Sequence, residues 1–218
     1  MIKVKICGIT AKREAEFLNK YLPDYVGFVF AEGRHKVTPE QALELARNIA
    51  PVIKKTGVFV DMGPGRVAAI AEITGLDAVQ LHGGEDGEYI RTLRLLLKPG
   101  TEIWKALRLG GRSTCAKDIF DPVKLASLGA DRLLLDTFVP DCPGGTGRTF
   151  DWRLAVQLKR LTSLPVILAG GLRPDNVRQA VAAVSPYAVD TSSGVESGGV
   201  KDEHKVREFI EAAREKAD

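Results

Sequence analysis

The feature that most constrains this chain is a regular alternation between short apolar runs and longer amphipathic stretches. Eight apolar runs are strand candidates, several rich in Val, Ile or Phe as strands buried on both faces should be. They lie near residues 3–7, 25–30, 56–60, 78–82, 102–106, 132–136, 165–168 and 187–190. Stretches at 39–50, 63–73, 151–161, 174–184 and 202–217 place apolar residues three or four apart, which predicts helices. Eight such units favour a (β/α)8 barrel over an open doubly wound sheet.

Two segments carry the sequence signature of a helix start. Thr38-Pro39-Glu40 and Arg173-Pro174-Asp175 each place a proline near the first helical turn with an acid beside it. At 218 residues the chain is long enough for one well-buried core, and barrels of about 200 residues or more usually form one domain. The sequence has no Pro/Gly/Ser-rich linker, so we expect a single (β/α)8 barrel domain over residues 1–218.

Charge and composition exclude several classes of function. The 31 basic residues nearly balance the 28 acidic ones, and the excess of +3 is spread along the chain, so we expect no nucleic-acid partner. The start of the chain has too short an apolar segment for a signal peptide, and no run approaches the roughly 18 apolar residues that a membrane span needs. We therefore expect a soluble cytoplasmic protein that does not associate with a membrane.

The cysteines and histidines do not indicate a metal site. The three cysteines are an odd number without Cys-x-x-Cys spacing, and the three histidines do not follow a metal-binding motif. These residues are Cys7, Cys115, Cys142, His35, His82 and His204. We therefore expect neither a disulfide framework nor a metal ion.

A thiol and a carboxylate end two of the strand candidates. Cys7 ends the first and Asp136 ends the sixth. In a (β/α)8 barrel the functional groups lie at the carboxyl ends of the strands and in the loops that follow, so both side chains would face one cavity. Such a pair is suited to acid/base chemistry. The alternatives are a buried inert thiol at Cys7 and a structural carboxylate at Asp136.

Glycine-containing segments follow the last two strand candidates. Gly170 and Gly171 come after the seventh, and Ser192, Ser193 and Gly194 come after the eighth. Glycines let the backbone approach an anion, hydroxyl groups donate to it, and a helix amino end adds partial positive charge, so the two segments together predict a phosphate site. Either segment alone also fits a tight turn. A third glycine cluster, at 142–147, indicates a loop that closes over a ligand or a plain flexible connection.

Ordered motifs along most of the chain, from residue 2 to about residue 210, match the pattern of a known family. They resemble those of the phosphoribosylanthranilate isomerase family of tryptophan biosynthesis, and they are 5–10 (KICGIT), 26–30 (VGFVF), 57–60 (GVFV), 79–83 (VQLHG), 134–137 (LLDT), 144–152 (GGTGRTFDW), 168–177 (LAGGLRPDNV) and 190–196 (DTSSGVE). The resemblance implies an Amadori rearrangement of N-(5-phosphoribosyl)anthranilate to 1-(2-carboxyphenylamino)-1-deoxyribulose 5-phosphate without a cofactor. It implies Asp136 as general acid and Cys7 as general base, in a monomer or a homodimer.

The loop after the second strand departs from the family pattern. The family commonly places an Arg there to hold the anthranilate carboxylate, and counted back from Val37 that position is His35. We prefer Arg34 as the carboxylate ligand, because a planar guanidinium suits a carboxylate better than an imidazole or an ammonium group does. His35 and Lys36 are the alternatives.

For three further residues at strand ends, the sequence leaves two alternative roles each. His82 would contact the substrate or tie down a loop, and Asp190 would orient the substrate's amine or pair with the basic loop. Lys105 would serve the acid/base chemistry of a different barrel or pair inside the barrel with a carboxylate such as Asp136. The rival functions are another phosphosugar barrel, such as indole-glycerol-phosphate synthase or a pentose-phosphate epimerase, and a silent phosphate-binding barrel. Asp61 lies where a second phosphate would bind and argues against a substrate with two phosphates.

Overall fold

The computed structural model of the chain describes residues 1–108, 129–136 and 152–215. The glycine cluster at 142–147, Cys115 and Cys142 lie outside these residues. Within them, eight parallel strands form a barrel in the order of the chain. The strands are β1 Lys3–Cys7, β2 Tyr25–Val29, β3 Lys54–Phe59, β4 Ala78–Leu81, β5 Glu102–Arg108, β6 Arg132–Asp136, β7 Val166–Ala169 and β8 Ala188–Thr191.

The barrel is closed because the last strand, β8, pairs with the first. Lys3 aligns with Ala188 and Ile6 with Thr191, in parallel register. Every other strand pairs in parallel with its successor. The predicted (β/α)8 barrel is therefore confirmed, and the doubly wound alternative is wrong.

Seven helices lie within the described residues: α1 Lys12–Tyr21, α2 Pro39–Ala46, α3 Pro64–Thr74, α4 Gly87–Leu96, α5 Trp152–Leu161, α6 Val177–Val184 and α7 Glu203–Arg214. Neither α1 nor α4 was among the predicted stretches. No helix in this part of the chain has the length and apolar character needed to cross a membrane.

Several predicted helix boundaries differ from the structure, among them one in α2 and one in α6. As predicted, α2 begins at Pro39, where Thr38 Oγ1 accepts the Gln41 N–H at 3.2 Å. It ends at Ala46 rather than at residue 50. The N–H groups of Asn48 and Ile49 bond to carbonyl oxygens three residues back instead of four, so the chain turns and the α-helix does not continue. The other helix, α6, begins at Val177 rather than at 174, because residues 173–176 first form a turn.

Alternate side chains of each strand face two different apolar layers. The larger layer, between strands and helices, includes Val4 and Ile6 of β1. The smaller layer lies inside the barrel and consists of Tyr25, Ala78, Trp104, Ala106, Leu134, Ile167, Ala169 and Ala188. Because successive side chains of a strand point to opposite faces, Lys5 and Cys7 lie on the inner side of β1. Inner residues near the carboxyl ends of the strands therefore face the mouth of the barrel.

Candidate active site

Cys7 lies at the carboxyl end of β1, buried against the backbone of β2. The N–H groups of the next two residues, Gly8 and Ile9, both donate to the Gly27 carbonyl oxygen, at 2.9 and 3.0 Å. A Cβ atom at Gly27 would lie 2.7 Å from the Cys7 sulfur, well inside an ordinary contact distance. The carbonyl group of Gly27 and its missing side chain together fix the position of the thiol.

A buried ion pair lies beside this thiol. Lys5 is fully buried, and its Nζ donates to both carboxylate oxygens of Asp190, each at 3.0 Å. Burial by itself disfavours the Lys5 charge, but the Asp190 carboxylate outweighs burial, so the pKa of Lys5 lies above its ordinary value. Lys5 also hydrogen-bonds the Cys7 side chain, so it contacts both the thiol and the carboxylate.

The surroundings of Cys7 favour the neutral thiol in the free protein. Burial raises the pKa of the Cys7 thiol above its ordinary value. The Lys5 charge opposes this shift, the Asp190 charge adds to it, and the Lys201 charge opposes it more weakly. Lys5 is therefore the strongest nearby stabiliser of a thiolate, while Asp190 works against one.

Asp136 ends β6 and is joined to His82, just after β4. The His82 Nε2 and Asp136 Oδ2 atoms are 3.1 Å apart. His82 Nδ1 lies 3.0 Å from the amide nitrogen of Gln80, an inner residue of β4. Burial raises the pKa of Asp190, and the Asp136 charge adds to that shift, so the two carboxylates lie in one electrostatic environment. The structure therefore brings Asp136, His82 and Asp190 together at the mouth.

The two segments predicted to form one phosphate site are packed against each other. Thr191 Oγ1 donates to the Leu172 carbonyl oxygen at 2.7 Å, and a Cβ atom at Gly194 would lie 1.9 Å from that same oxygen. Gly194 can therefore only be glycine in this packing. Gly171 has a φ of +65° and open space where a Cβ would be, which leaves its backbone accessible to an anion. Ser192 precedes a short 3₁₀ turn at Ser193–Val195.

The basic loop after β2 is tied to Glu196 rather than free in solvent. Arg34 and His35 both contact the Glu196 carboxylate, His35 through its Nε2 at 2.9 Å. Arg34 reaches outward over Gly199, whereas His35 turns inward towards Ser192. Burial lowers the pKa of His35, the Lys201 charge adds to that effect and the Glu196 charge opposes it, so the surroundings favour the neutral imidazole.

Lys36, the third basic residue of this loop, takes a different direction. It pairs with Glu32 on the exposed surface of the same loop. Of the three candidate ligands for the anthranilate carboxylate, only Arg34 and His35 therefore lie against the loop that follows β8.

Sequence reasoning gave no role to two residues that organise these loops. Lys201, in the short strand β10 (Val200–Lys201) that pairs with β9 (Glu196–Ser197), is buried and forms an ion pair with Glu196. Its Nζ also donates to Ser192 O at 3.1 Å and to Ser192 Oγ at 3.2 Å. Glu196 belonged to a recognised motif, but no pattern in the sequence marked Lys201.

Lys105 pairs with a carboxylate, as one alternative predicted, but the carboxylate is Glu85 rather than Asp136 and the pair does not lie inside the barrel. Trp104 and Ala106 are the inward residues of β5, so Lys105 points outward. Its Nζ donates to Glu85 Oε2 and to the Gly83 carbonyl oxygen, both at 2.7 Å.

Backbone donors at the ends of β3 and β4 are bonded to carboxylates of the chain itself. The Asp61 and Gly83 N–H groups each donate to Glu85 at 2.9 Å. The Gly84 N–H donates to Asp61 Oδ1 at 2.7 Å. The region in which a second phosphate was considered therefore presents carboxylates in place of available N–H groups.

Comparison with known proteins assigns the chain to a family. The protein-family model described as N-(5'phosphoribosyl)anthranilate (PRA) isomerase matches residues 4–212. The chain belongs to this family. A relative from Desulforudis audaxviator, named N-(5'-phosphoribosyl)anthranilate isomerase, is 46% identical over 215 residues, covering 99% of this chain and 99% of the relative. The resemblance found in the sequence is confirmed: the chain is an isomerase of tryptophan biosynthesis.

Two solved structures of family members are similar to this barrel. One shows monomers of the dimeric enzyme from Thermotoga maritima, with a TM-score of 0.81 and 35% identity, covering 98% of this chain and 99% of that one. The other holds reduced 1-(o-carboxyphenylamino)-1-deoxyribulose 5-phosphate, with a TM-score of 0.80 and 33% identity over 98% of this chain and 99% of that one. Family membership excludes the other phosphosugar barrels considered above, indole-glycerol-phosphate synthase and a pentose-phosphate epimerase.

Proposed function

We propose that the chain converts N-(5-phosphoribosyl)anthranilate to 1-(2-carboxyphenylamino)-1-deoxyribulose 5-phosphate by an Amadori rearrangement, with Asp136 as general acid and Cys7 as general base. The observation that carries this proposal is the placement of the two groups at the mouth of the barrel. Both end strands on the inner side of the barrel; Lys5 bonds Cys7 and Asp190, and the charge of Asp136 acts on Asp190. A thiol and a carboxyl group in different surroundings are suited to opposite proton transfers.

The first chemical step opens the ribose ring. The lone pair of the anthranilate nitrogen forms a double bond to C1, the bond from C1 to the ring oxygen breaks, and Asp136 gives its proton to that oxygen. A carboxyl group with the ordinary pKa of about 3.9 has lost this proton at neutral pH, so its surroundings must help to retain it. The Asp190 carboxylate acts in that direction, because a nearby negative charge disfavours a second one.

The second step forms the enolamine. The Cys7 thiolate takes the proton from C2, the electrons of that bond form a C1–C2 double bond, and the nitrogen regains its lone pair. The C2 hydroxyl then loses its proton as the carbonyl forms, and C1 gains a proton, so the product is an isomer of the substrate. Lys5 supports this step because its charge favours the thiolate.

Three groups of residues would hold the substrate around these two. We assign its phosphate to Gly170, Gly171, Ser192, Ser193 and Gly194, and its anthranilate carboxylate to Arg34 or His35. Lys201 supports the phosphate loop through its bonds to Ser192. In this arrangement His82 and Asp190 border the reacting carbons rather than the phosphate. One phosphate is expected, since carboxylates already bond the backbone donors after β3 and β4.

The remaining parts of the proposal concern the whole protein. We propose that the chain acts as one domain in the cytoplasm, without a cofactor or a nucleic-acid partner. A homodimer is consistent with the Thermotoga maritima relative, which is described as dimeric. A monomer is the other state considered.

The test is the decay of phosphoribosylanthranilate fluorescence after addition of the purified protein in metal-free buffer. The spontaneous breakdown of the substrate is subtracted, and an equal amount of the Asp136→Asn variant serves as control. Saturable consumption by the wild-type protein and near-background consumption by the variant are expected. A folded wild-type sample that does not accelerate the decay would contradict the proposed function and point to a silent phosphate-binding barrel.

A further inference from the structure

A chain of two hydrogen bonds leads from the inside of the barrel to Asp136. Gln80 and His82 are two residues apart and share the inner face at the end of β4. The Gln80 amide nitrogen lies 3.0 Å from His82 Nδ1, and His82 Nε2 lies 3.1 Å from Asp136 Oδ2. Gln80 is 2% exposed, so water competes little for its amide group.

The partners in this chain determine where the protons are. An amide nitrogen can only donate, so His82 Nδ1 accepts the hydrogen bond from Gln80. The single proton of the neutral imidazole is then on Nε2, from which it is donated to Asp136 Oδ2. In this arrangement Asp136 is a carboxylate, and the Asp136–His82 pair holds one proton. This state of the pair, with one proton, is the state expected after a general acid has given its proton away.

The Gln80 side chain offers a second arrangement. Its Oε1 atom is buried and, among the described residues, is one of a few buried side-chain polar atoms without a hydrogen-bond partner. Rotation of the amide group by half a turn exchanges the oxygen and the nitrogen. The oxygen then faces Nδ1, which must carry a proton in order to donate. The pair consequently holds two protons, one on Nδ1 and one between Nε2 and Asp136.

We propose that His82 is a positioning residue for Asp136, and that the orientation of the Gln80 amide determines whether the Asp136–His82 pair holds one proton or two. The inference deepens the proposed function, on which its catalytic meaning rests. The pair with two protons gives one to the ring oxygen of the sugar through Asp136. The proton that stays is on Nδ1, where it is donated to Gln80 Oε1. Exchange with water then moves this single proton to Nε2 as the Gln80 amide turns back, and a further proton from water reloads the pair.

Other charged groups act on the same pair. Asp190 on β8 interacts electrostatically with both His82 and Asp136. Lys5 on β1 neutralises much of the Asp190 charge, and Cys7 is the other titratable group beside Lys5. The part of the Asp190 charge that Lys5 leaves uncompensated helps to retain the second proton, and Gln80 supplies the acceptor that this proton needs on Nδ1.

Nitrogen NMR of the full-length protein labelled with ¹⁵N-histidine tests the proton positions without substrate. The chain has three histidines, so the His82 signals are identified by their absence in His82→Gln. At alkaline pH, His82 is expected as the Nε2–H tautomer with an accepting Nδ1. Gln80→Glu places a carboxylate at Nδ1 and should keep the doubly protonated ring to higher pH, whereas Gln80→Met should weaken the tautomer preference, which Asp136 alone then maintains.

Thr56→Val is the matched control. Thr56 is fully buried on the neighbouring strand β3, and its Oγ1 also has no hydrogen-bond partner, so its loss should leave the His82 signals unchanged. An Nδ1–H tautomer at alkaline pH, or identical His82 titration in wild type and Gln80→Met, would overturn the inference. These outcomes do not depend on turnover, so a failure of the proposed function is seen separately in the fluorescence assay.

Kinetics separate positioning from substrate binding. His82→Gln should lower kcat by about 10²-fold, the scale of a general-acid contribution, with KM nearly unchanged. Gln80→Glu should move the alkaline limb of the kcat profile to higher pH, while Gln80→Met should move it to lower pH. A raised KM with wild-type kcat in His82→Gln would mean that His82 contacts the substrate, and the inference would be wrong.

Discussion

Replacement of Gly27 by Ala should displace the Cys7 sulfur without unfolding the barrel. The new Cβ would lie 2.7 Å from Cys7 Sγ, 3.2 Å from its Cα and 3.3 Å from its Cβ. An ordinary contact is about 3.5–4.0 Å, so the sulfur must move by roughly 1 Å. A displacement of that size in a reacting group can cost about 10²-fold in rate. Overpacking should also cost about 1–3 kcal/mol of stability.

Gly57→Ala on the neighbouring strand is the matched control. Its Cβ would lie 2.4 Å from Leu76 Cδ1 and 2.7 Å from Phe59 Cε2, so it overpacks the same barrel at a distance from the thiol. We expect similar losses of stability in urea unfolding, but a large fall in kcat for Gly27→Ala alone. Wild-type kcat in folded Gly27→Ala, or equal losses in both variants, would refute the idea that Gly27 positions the thiol.

Three further predictions concern the catalytic and binding groups. Cys7→Ser and Asp136→Asn should each lower kcat by about 10²–10⁴-fold with nearly unchanged KM in steady-state assays; wild-type turnover would remove that residue from the mechanism. Because burial raises the pKa of Cys7, its alkylation by iodoacetamide should reach half its maximal rate above pH 8.5 or so, the value for a free cysteine; a midpoint below it would show a stabilised thiolate instead. Arg34→Ala should raise KM about tenfold or more through loss of a charged hydrogen bond, whereas Lys36→Ala should not; the opposite pattern would move the carboxylate site to Lys36.

The barrel was predictable because the strands are short and apolar, and because five amphipathic stretches alternate with them along the chain. Those features are local in sequence, and eight of them favour a barrel, whereas the pairing of β8 with β1 is seen only in the structure. The same reasoning failed for Lys105, because the face of a strand on which a residue lies depends on the register of its neighbours. It also missed Lys201. Its partners Ser192 and Glu196 are brought close by the pairing of β9 with β10, and these two-residue strands are too short to be recognised in the sequence.

The roles of the site residues were predictable only in part, and for a similar reason. Chemistry at strand ends suggested Cys7 and Asp136, because a barrel gathers its strand ends at one mouth. The hydrogen bonds of His82 could not be predicted, since its partner Asp136 is more than fifty positions away in sequence and is brought near it only by barrel closure. Nothing local in the sequence distinguishes a substrate contact from a contact with another side chain.

Among the described residues, the loops after β2, β3, β4 and β8 also give the mouth an electrostatic polarity. Near β2 and β8, the cations Arg34 and Lys201 outnumber the carboxylate of Glu196. Near β3 to β5, the carboxylates of Asp61 and Glu85 outnumber the ammonium group of Lys105. An anionic molecule approaching this mouth is therefore steered to one side of it before any contact forms. The side that attracts it is the one on which the glycine loops after β7 and β8 lie, so long-range attraction acts in the same direction as the phosphate binding that we propose for those loops.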